Sequence, residues 1–159
     1  MEASSELQIL GRILISAVFA GLIGLEREFA DKPAGLRTHM LVGSTSTLLV
    51  MLAIQMVSSF DPESLINTDP IRIVEAIVVG ISFLGAGTIL KYNRAGEKDV
   101  EGLTTSASIL SVAAIGIAVA LDDLILAGGV TALNLSINWG LNYIIQRAKR
   151  KAANEEKSP

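Results

Sequence analysis

V-F-A-G-L-I-G-L-E-R-E-F-A-D-K-P-A-G-L-R-T-H-M-L-V-G, residues 18–43, decides how this chain folds. An apolar, glycine-spaced run stops abruptly at Glu26, Arg27 and Glu28. A charged turn through Asp31, Lys32 and Pro33 follows, and Gly35-Leu36-Arg37-Thr38-His39 opens a second apolar run. Two segments of bilayer length are thus joined by a short hairpin carrying both signs of charge. Ionised groups at the ends of membrane helices are costly unless they pair or snorkel to the interface. Such a cluster therefore reads as a functional site as readily as a solvated loop.

Outward from this hairpin, apolar runs cover Leu7–Leu25, Met40–Val57, Ile73–Leu90, Leu103–Leu121 and Leu124–Ile145. At about 1.5 Å per residue each matches a hydrocarbon core of roughly 30 Å. The only charges within them are Arg12 in the first and Glu75 in the third. Buried helices of a soluble bundle rarely run so far without a polar face. Half the residues are hydrophobic and only 18% charged, which suits a polytopic membrane protein. The spacing predicts an all-α fold of five transmembrane helices over residues 1–146 and a basic, disordered cytoplasmic tail over 147–159.

Charge in the gaps orients the chain. Arg27, Lys32 and Arg37 lie in the first gap, Lys91, Arg94 and Lys98 in the third, and Arg147, Lys149, Arg150, Lys151 and Lys157 after the last run. The other gaps hold Arg72 alone. Basic residues collect on the cytoplasmic side, so the N-terminus is expected outside and both charged hairpins and the C-terminus inside. The N-terminus has no cationic start or cleavage site of a secretory signal. Gly21-x-x-Gly24 before Gly35-Leu36-Arg37-Thr38, and Gly85-Ala86-Gly87 before Gly102-Leu103-Thr104-Thr105, suggest a parallel repeat of two helix hairpins.

Chemistry is confined to few residues. With no cysteine and one histidine, disulfides, thiol chemistry and a His-cluster metal site are excluded within one protomer. No Walker pattern or nucleophile–base pair is present, so no enzyme is expected, nor any nucleic-acid partner. The candidate polar cluster is Glu26, Arg27, Glu28, Arg37, Thr38, Thr104 and Thr105. Helix starts at Arg37-Thr38 and Thr104-Thr105 favour anions; the plainer alternative is that Thr38 and Thr104 satisfy unpaired amides while Arg37 snorkels. Glu26 and Asp31 are carboxylates of the kind Mg²⁺ uses, but the interspersed cations make ion pairing, Glu26 with Arg37 for instance, the stronger reading. No other cofactor is implied. Arg12 and Glu75, each about a turn inside the outer face, are expected to pair with each other or across a subunit interface. Thr131, Asn134, Asn138 and Asn142 share one narrow arc of the last helix, either lining a polar path or, the better reading, forming an interhelical hydrogen-bond seam.

Taken in order and spacing, G-L-I-G-L-E-R-E (21–28), A-G-L-R-T-H (34–39), F-L-G-A-G-T-I-L (83–90) and G-L-T-T-S-A-S (102–108) resemble the membrane domain of the MgtC/SapB family across nearly all of residues 7–145. The motif positions carried over are Glu26, Arg27, Gly35, Arg37, Thr38, Gly85, Gly87, Gly102 and Thr105. The resemblance implies a multi-pass protein of the bacterial inner membrane linked to magnesium limitation and, in pathogens, to survival inside host cells. Some members are named as magnesium transport proteins; the family is better described as regulatory, including an association with the membrane ATP synthase. Many members continue into a cytoplasmic domain where this chain ends at Pro159, and Glu101 stands before Gly102 where some carry a basic residue. The expected function is a role in magnesium homeostasis through contact with another membrane protein or lipid. The alternative is a small ion or solute permease, of Mg²⁺ for example, working as a homo-oligomer, a dimer or higher.

Overall fold

The computed structural model describes the backbone of residues 3–58, 70–94 and 97–155, and the side chains of 5–58, 71–89 and 100–140. The described residues contain five helices: α1 (Ala3–Phe29), α2 (Leu36–Ser58), α3 (Pro70–Gly87), α4 (Leu103–Ala120) and α5 (Leu124–Glu155). Among them α1, α2 and α4 are long and apolar enough to cross a membrane, and α5 adds an apolar stretch over Leu124–Gly140. The all-α fold read from the runs of apolar residues is the one observed.

Two local differences stand out. The gap expected to be a charged loop holds an antiparallel hairpin, β1 (Leu90–Arg94) and β2 (Glu97–Glu101), with Leu90 opposite Glu101 and Arg94 opposite Glu97. Its charges break the apolar alternation by which a strand is recognised. In addition, α5 continues to Glu155, over residues assigned above to a disordered tail. The helix carries on because Ala, Lys, Arg, Gln and Glu, good helix formers, fill that stretch.

Helix ends are closed locally. After α1, Asp31 turns left-handed (φ 51°), the Lys32 amide donates to the Arg27 carbonyl (3.0 Å) and the Asp31 amide to that of Glu28 (3.1 Å). After α4, Asp122 (φ 70°) repeats the pattern, with Asp123 N–H on Ala118 O (2.9 Å) and Asp122 N–H on Val119 O (3.2 Å). Both are Schellman closures with aspartate in the position glycine usually holds. Gly102, before α4, has φ 92°, and a Cβ there would run into the Thr88 carbonyl. Only glycine fits that corner.

The bundle is organised on α4, which packs against each of the other four helices. Its buried residues, among them Ile109, Val112, Ile115, Gly116 and Val119, recur at spacings of three and four and so form one broad face, while Ala107, Leu110 and Ala114 on the opposite side are exposed. The two hairpins share a contact. A Cβ on Gly24 would sit 2.8 Å from His39 Cβ, and one on Gly85 would meet the Ser106 side chain. His39 and Ser106 each lie four residues after the loop glycine, and each amide donates to that glycine's carbonyl, Gly35 at 3.2 Å and Gly102 at 2.9 Å. In both hairpins, then, a glycine on the outgoing helix admits the first turn of the returning one.

Candidate functional site

The end of the bundle where the hairpins meet holds its buried charges. Glu26 and Arg27 occupy the last turn of α1. Neighbours in a helix do not ordinarily face each other, yet these two form a bidentate pair: Arg27 Nε donates to Glu26 Oε2 (2.8 Å) and Nη2 to Oε1 (3.0 Å). Their side chains are 4% and 2% exposed. Asn138 of α5 donates a third bond, Nδ2 to Glu26 Oε2 at 2.9 Å. A buried ion pair is tolerable only when further hydrogen bonds satisfy the carboxylate, and here α5 supplies one. Arg27 Nη1 keeps no partner.

Next to this pair, fully buried His39 joins α2 to α4. Its Nδ1 lies 2.9 Å from the Gly35 carbonyl and its Nε2 3.0 Å from Ser108 Oγ. A carbonyl only accepts, so Nδ1 carries a proton. The neutral ring then accepts at Nε2 from the Ser108 hydroxyl; a doubly protonated ring would donate there and release that hydroxyl to the Thr105 carbonyl, 2.8 Å away. Thr105 is itself buried. Four helices are thus tied at one level: α1 to α5 through Glu26–Asn138, and α2 to α4 through His39–Ser108.

The remaining members of the expected cluster face outward. Glu28 accepts the Leu36 amide (2.9 Å) and so caps α2, while Arg37, Thr38 and Thr104 are exposed. Two expectations are corrected here. Glu26 pairs with Arg27 and not with Arg37, because Arg37 points away from the bundle. The amide at the start of α2 is met by Glu28 and not Thr38, while α4 starts at Gly102 with no side-chain cap. Asp31 is exposed and the lone pairs of Glu26 are taken by three N–H donors. Glu26 and Asp31 are therefore not gathered into a metal site, and among the described residues no three His, Asp or Glu side chains are.

At the opposite end the expected Arg12–Glu75 pair is replaced. Arg12 pairs with Asp122 at 3.1 Å and donates to the Ala120 carbonyl at 2.9 Å. The left-handed turn after α4 delivers both an acid and the Ala120 carbonyl to Arg12, whereas α3 presents Glu75 outward. On α5, Asn134 donates to Ser111 Oγ of α4 (2.9 Å) and Asn138 to Glu26, so both reach neighbouring helices. Thr131 instead bonds its own helix at the Ala127 carbonyl, and the Asn142 side chain lies outside the described residues. His39 and Ser108 carry weight the sequence reading did not give them. The available signal was a lone histidine inside an apolar helix, one turn after the loop glycine.

Among the described residues the cavities of note are grooves beside α3. One of about 210 Å³ is lined by Val50, Ile54, Ile73 and Ile117 among others. The other, about 380 Å³ between α2 and α3, includes Ser46, Leu49, Arg72 and Gly80. Neither joins the buried charges.

Apolar helices of membrane length, packed on a central helix and cross-tied by a buried carboxylate–guanidinium pair, define an α-helical integral membrane protein. The model of the MgtC family matches residues 13–147, and the chain belongs to that family. It is 37% identical over 110 residues to SapB of Bacillus subtilis (strain 168), covering 69% of this chain and 46% of that protein. It is 34% identical over 131 residues to MgtC of Brucella abortus (strain 2308), covering 81% and 49%. With YhiD of Escherichia coli (strain K12), a candidate magnesium transporter by its name, identity is 38% over 108 residues, covering 68% and 48%. The chain spans about half the length of these curated relatives. No solved structure matches it.

Proposed function

We propose that this chain is a non-enzymatic protein of the cell's inner membrane that serves magnesium homeostasis by contact with another membrane protein or with lipid. The name of its relative YhiD supports the link to magnesium, and the basic residues of the gaps favour a cytoplasmic position for the hairpins. One observation carries the contact reading: the hairpin end sorts its polar residues into a buried internal tie and an exposed rim. Glu26, Arg27, His39 and Ser108 are spent on holding four helices together, while Arg37, Thr38 and Thr104 stand free on the surface. A rim charge tunes a contact without supporting the fold. The permease reading requires an assembly of protomers, since the described grooves are largely apolar and neither joins the buried charges.

The test pairs two readouts. A strain lacking the protein is complemented at limiting magnesium with wild type and with Arg37→Ala, and both proteins are assayed for Mg²⁺ flux in proteoliposomes. Contact predicts no flux above empty vesicles from either, full complementation by wild type, and loss of complementation by a normally folded Arg37→Ala. Wild-type flux that Glu26→Gln abolishes overturns it in favour of transport.

A further inference from the structure

The outward face of α3 carries two charges and two small residues that its own protomer leaves exposed. Arg72, Glu75, Ala76, Val79 and Gly80 are all exposed, and their spacing of three and four residues sets them on one side of the helix. An ionised carboxylate on a membrane helix calls for a partner. Within the chain Arg12 is taken by Asp122, and neither Arg72 nor Glu75 enters an ion pair among the described residues. Arg72 and Glu75 do not pair with each other, although they are one turn apart.

Beside the charges, Ala76 and Gly80 make a small-x-x-x-small step, which lets helix backbones approach closely in a membrane. A Cβ added to Gly80 meets nothing within 4 Å, so its own protomer leaves that space open. Ser46 lines the adjoining groove and is 1% exposed, yet its Oγ has no partner. Other hydroxyls of this chain, such as Ser82, Thr131 and Ser136, bond the carbonyl one turn back on their own helix. Ser46 does not.

We propose that α3 mediates a parallel homodimer about a two-fold axis along the membrane normal. Ala76 and Gly80 face their counterparts at the crossing, and Arg72 of each protomer pairs with Glu75 of the other. A two-fold contact is self-complementary, and an opposite-charge pair on a single face satisfies that rule twice. Parallel α3 helices hold Arg72 and Glu75 within one turn in depth, so both reciprocal pairs form together. The proposal is independent of the role in magnesium homeostasis.

Because the chain has no cysteine, single cysteines report the contact cleanly. Under mild oxidation in native membranes, Ala76→Cys and Gly80→Cys are expected to form disulfide dimers, while Ile125→Cys, 94% exposed on α5, is not. Arg72→Glu alone and Glu75→Arg alone place like charges across the axis and are expected to weaken dimerisation in bilayers about tenfold or more. The double exchange restores it. Gly80→Leu, which meets no neighbour in its own protomer, is expected to give a folded monomer. Cross-linking at Ile125 and not at 76 or 80, equal dimerisation in both single charge variants, or a wild type monomeric in bilayers overturns the proposal.

Discussion

Replacing Arg27 by leucine strands a carboxylate inside the bundle. Glu26 now accepts three N–H bonds, two from Arg27 at 2.8 and 3.0 Å and one from Asn138 at 2.9 Å. Without Arg27 it keeps Asn138 alone while its side chain stays 4% exposed. Breaking a buried pair from one side costs roughly 3–5 kcal/mol, because the surviving charge is uncompensated. Glu26→Leu strands the guanidinium and is expected to cost a similar amount. Removing both leaves only the Asn138 amide unsatisfied, about 1–3 kcal/mol. The double variant should therefore be more stable than either single one, with a coupling of several kcal/mol. Reversible unfolding of all four proteins in mixed micelles measures the cycle. If Arg27→Leu costs less than about 1 kcal/mol, or the double variant loses the sum of the two singles, the pair is not the tie described here.

Four smaller expectations follow from particular contacts. Asn138→Leu removes one interhelical bond and should cost roughly 0.6–1.7 kcal/mol in the same assay, visible as earlier release of α5 in hydrogen exchange. Gly102→Ala forces a side chain into a left-handed corner beside the Thr88 carbonyl; unfolding should show a loss of at least about 1–2 kcal/mol. Gly24→Ala places a methyl 2.8 Å from His39 Cβ and Leu36 Cα, an overpacking of about 1–3 kcal/mol that moves α1 from α2, read as a lowered Tm. Arg12→Ala should lower Tm more than Asp122→Asn, because Arg12 also serves the Ala120 carbonyl whereas the Asp122 side chain is 68% exposed and worth little as an ion partner.

Much of the site was legible in outline. The charged break at Glu26–Glu28, the loop glycines at 35 and 102, and the polar arc of α5 are local signals, and the structure brings Glu26, Arg27, Thr105 and Asn138 to one end of the bundle. Which residue bonds which was not legible. Glu26 chose its chain neighbour over Arg37, Arg12 chose Asp122 over Glu75, and Glu28 capped the helix in place of Thr38. Each outcome turns on how far a helix is rotated about its own axis, a quantity that apolar periodicity records only when one face is polar. On α4, apolar almost throughout, no sequence pattern records it: Ala107 and Ala114 are exposed while Ala113 and Ala120 on the same helix are buried.

By itself the sequence determined the five helices of the described residues and where the chain turns between them, because unbroken hydropathy and glycine or charge punctuation act within a few residues of where they are written. The tertiary structure alone decided the partners: the helix that would satisfy Glu26, the carbonyls Arg12 would cap, and the role of His39 as a bridge between hairpins. Those choices depend on side chains far apart in sequence arriving at one depth with complementary donors and acceptors, which only the packing of α1, α2 and α5 around α4 can arrange.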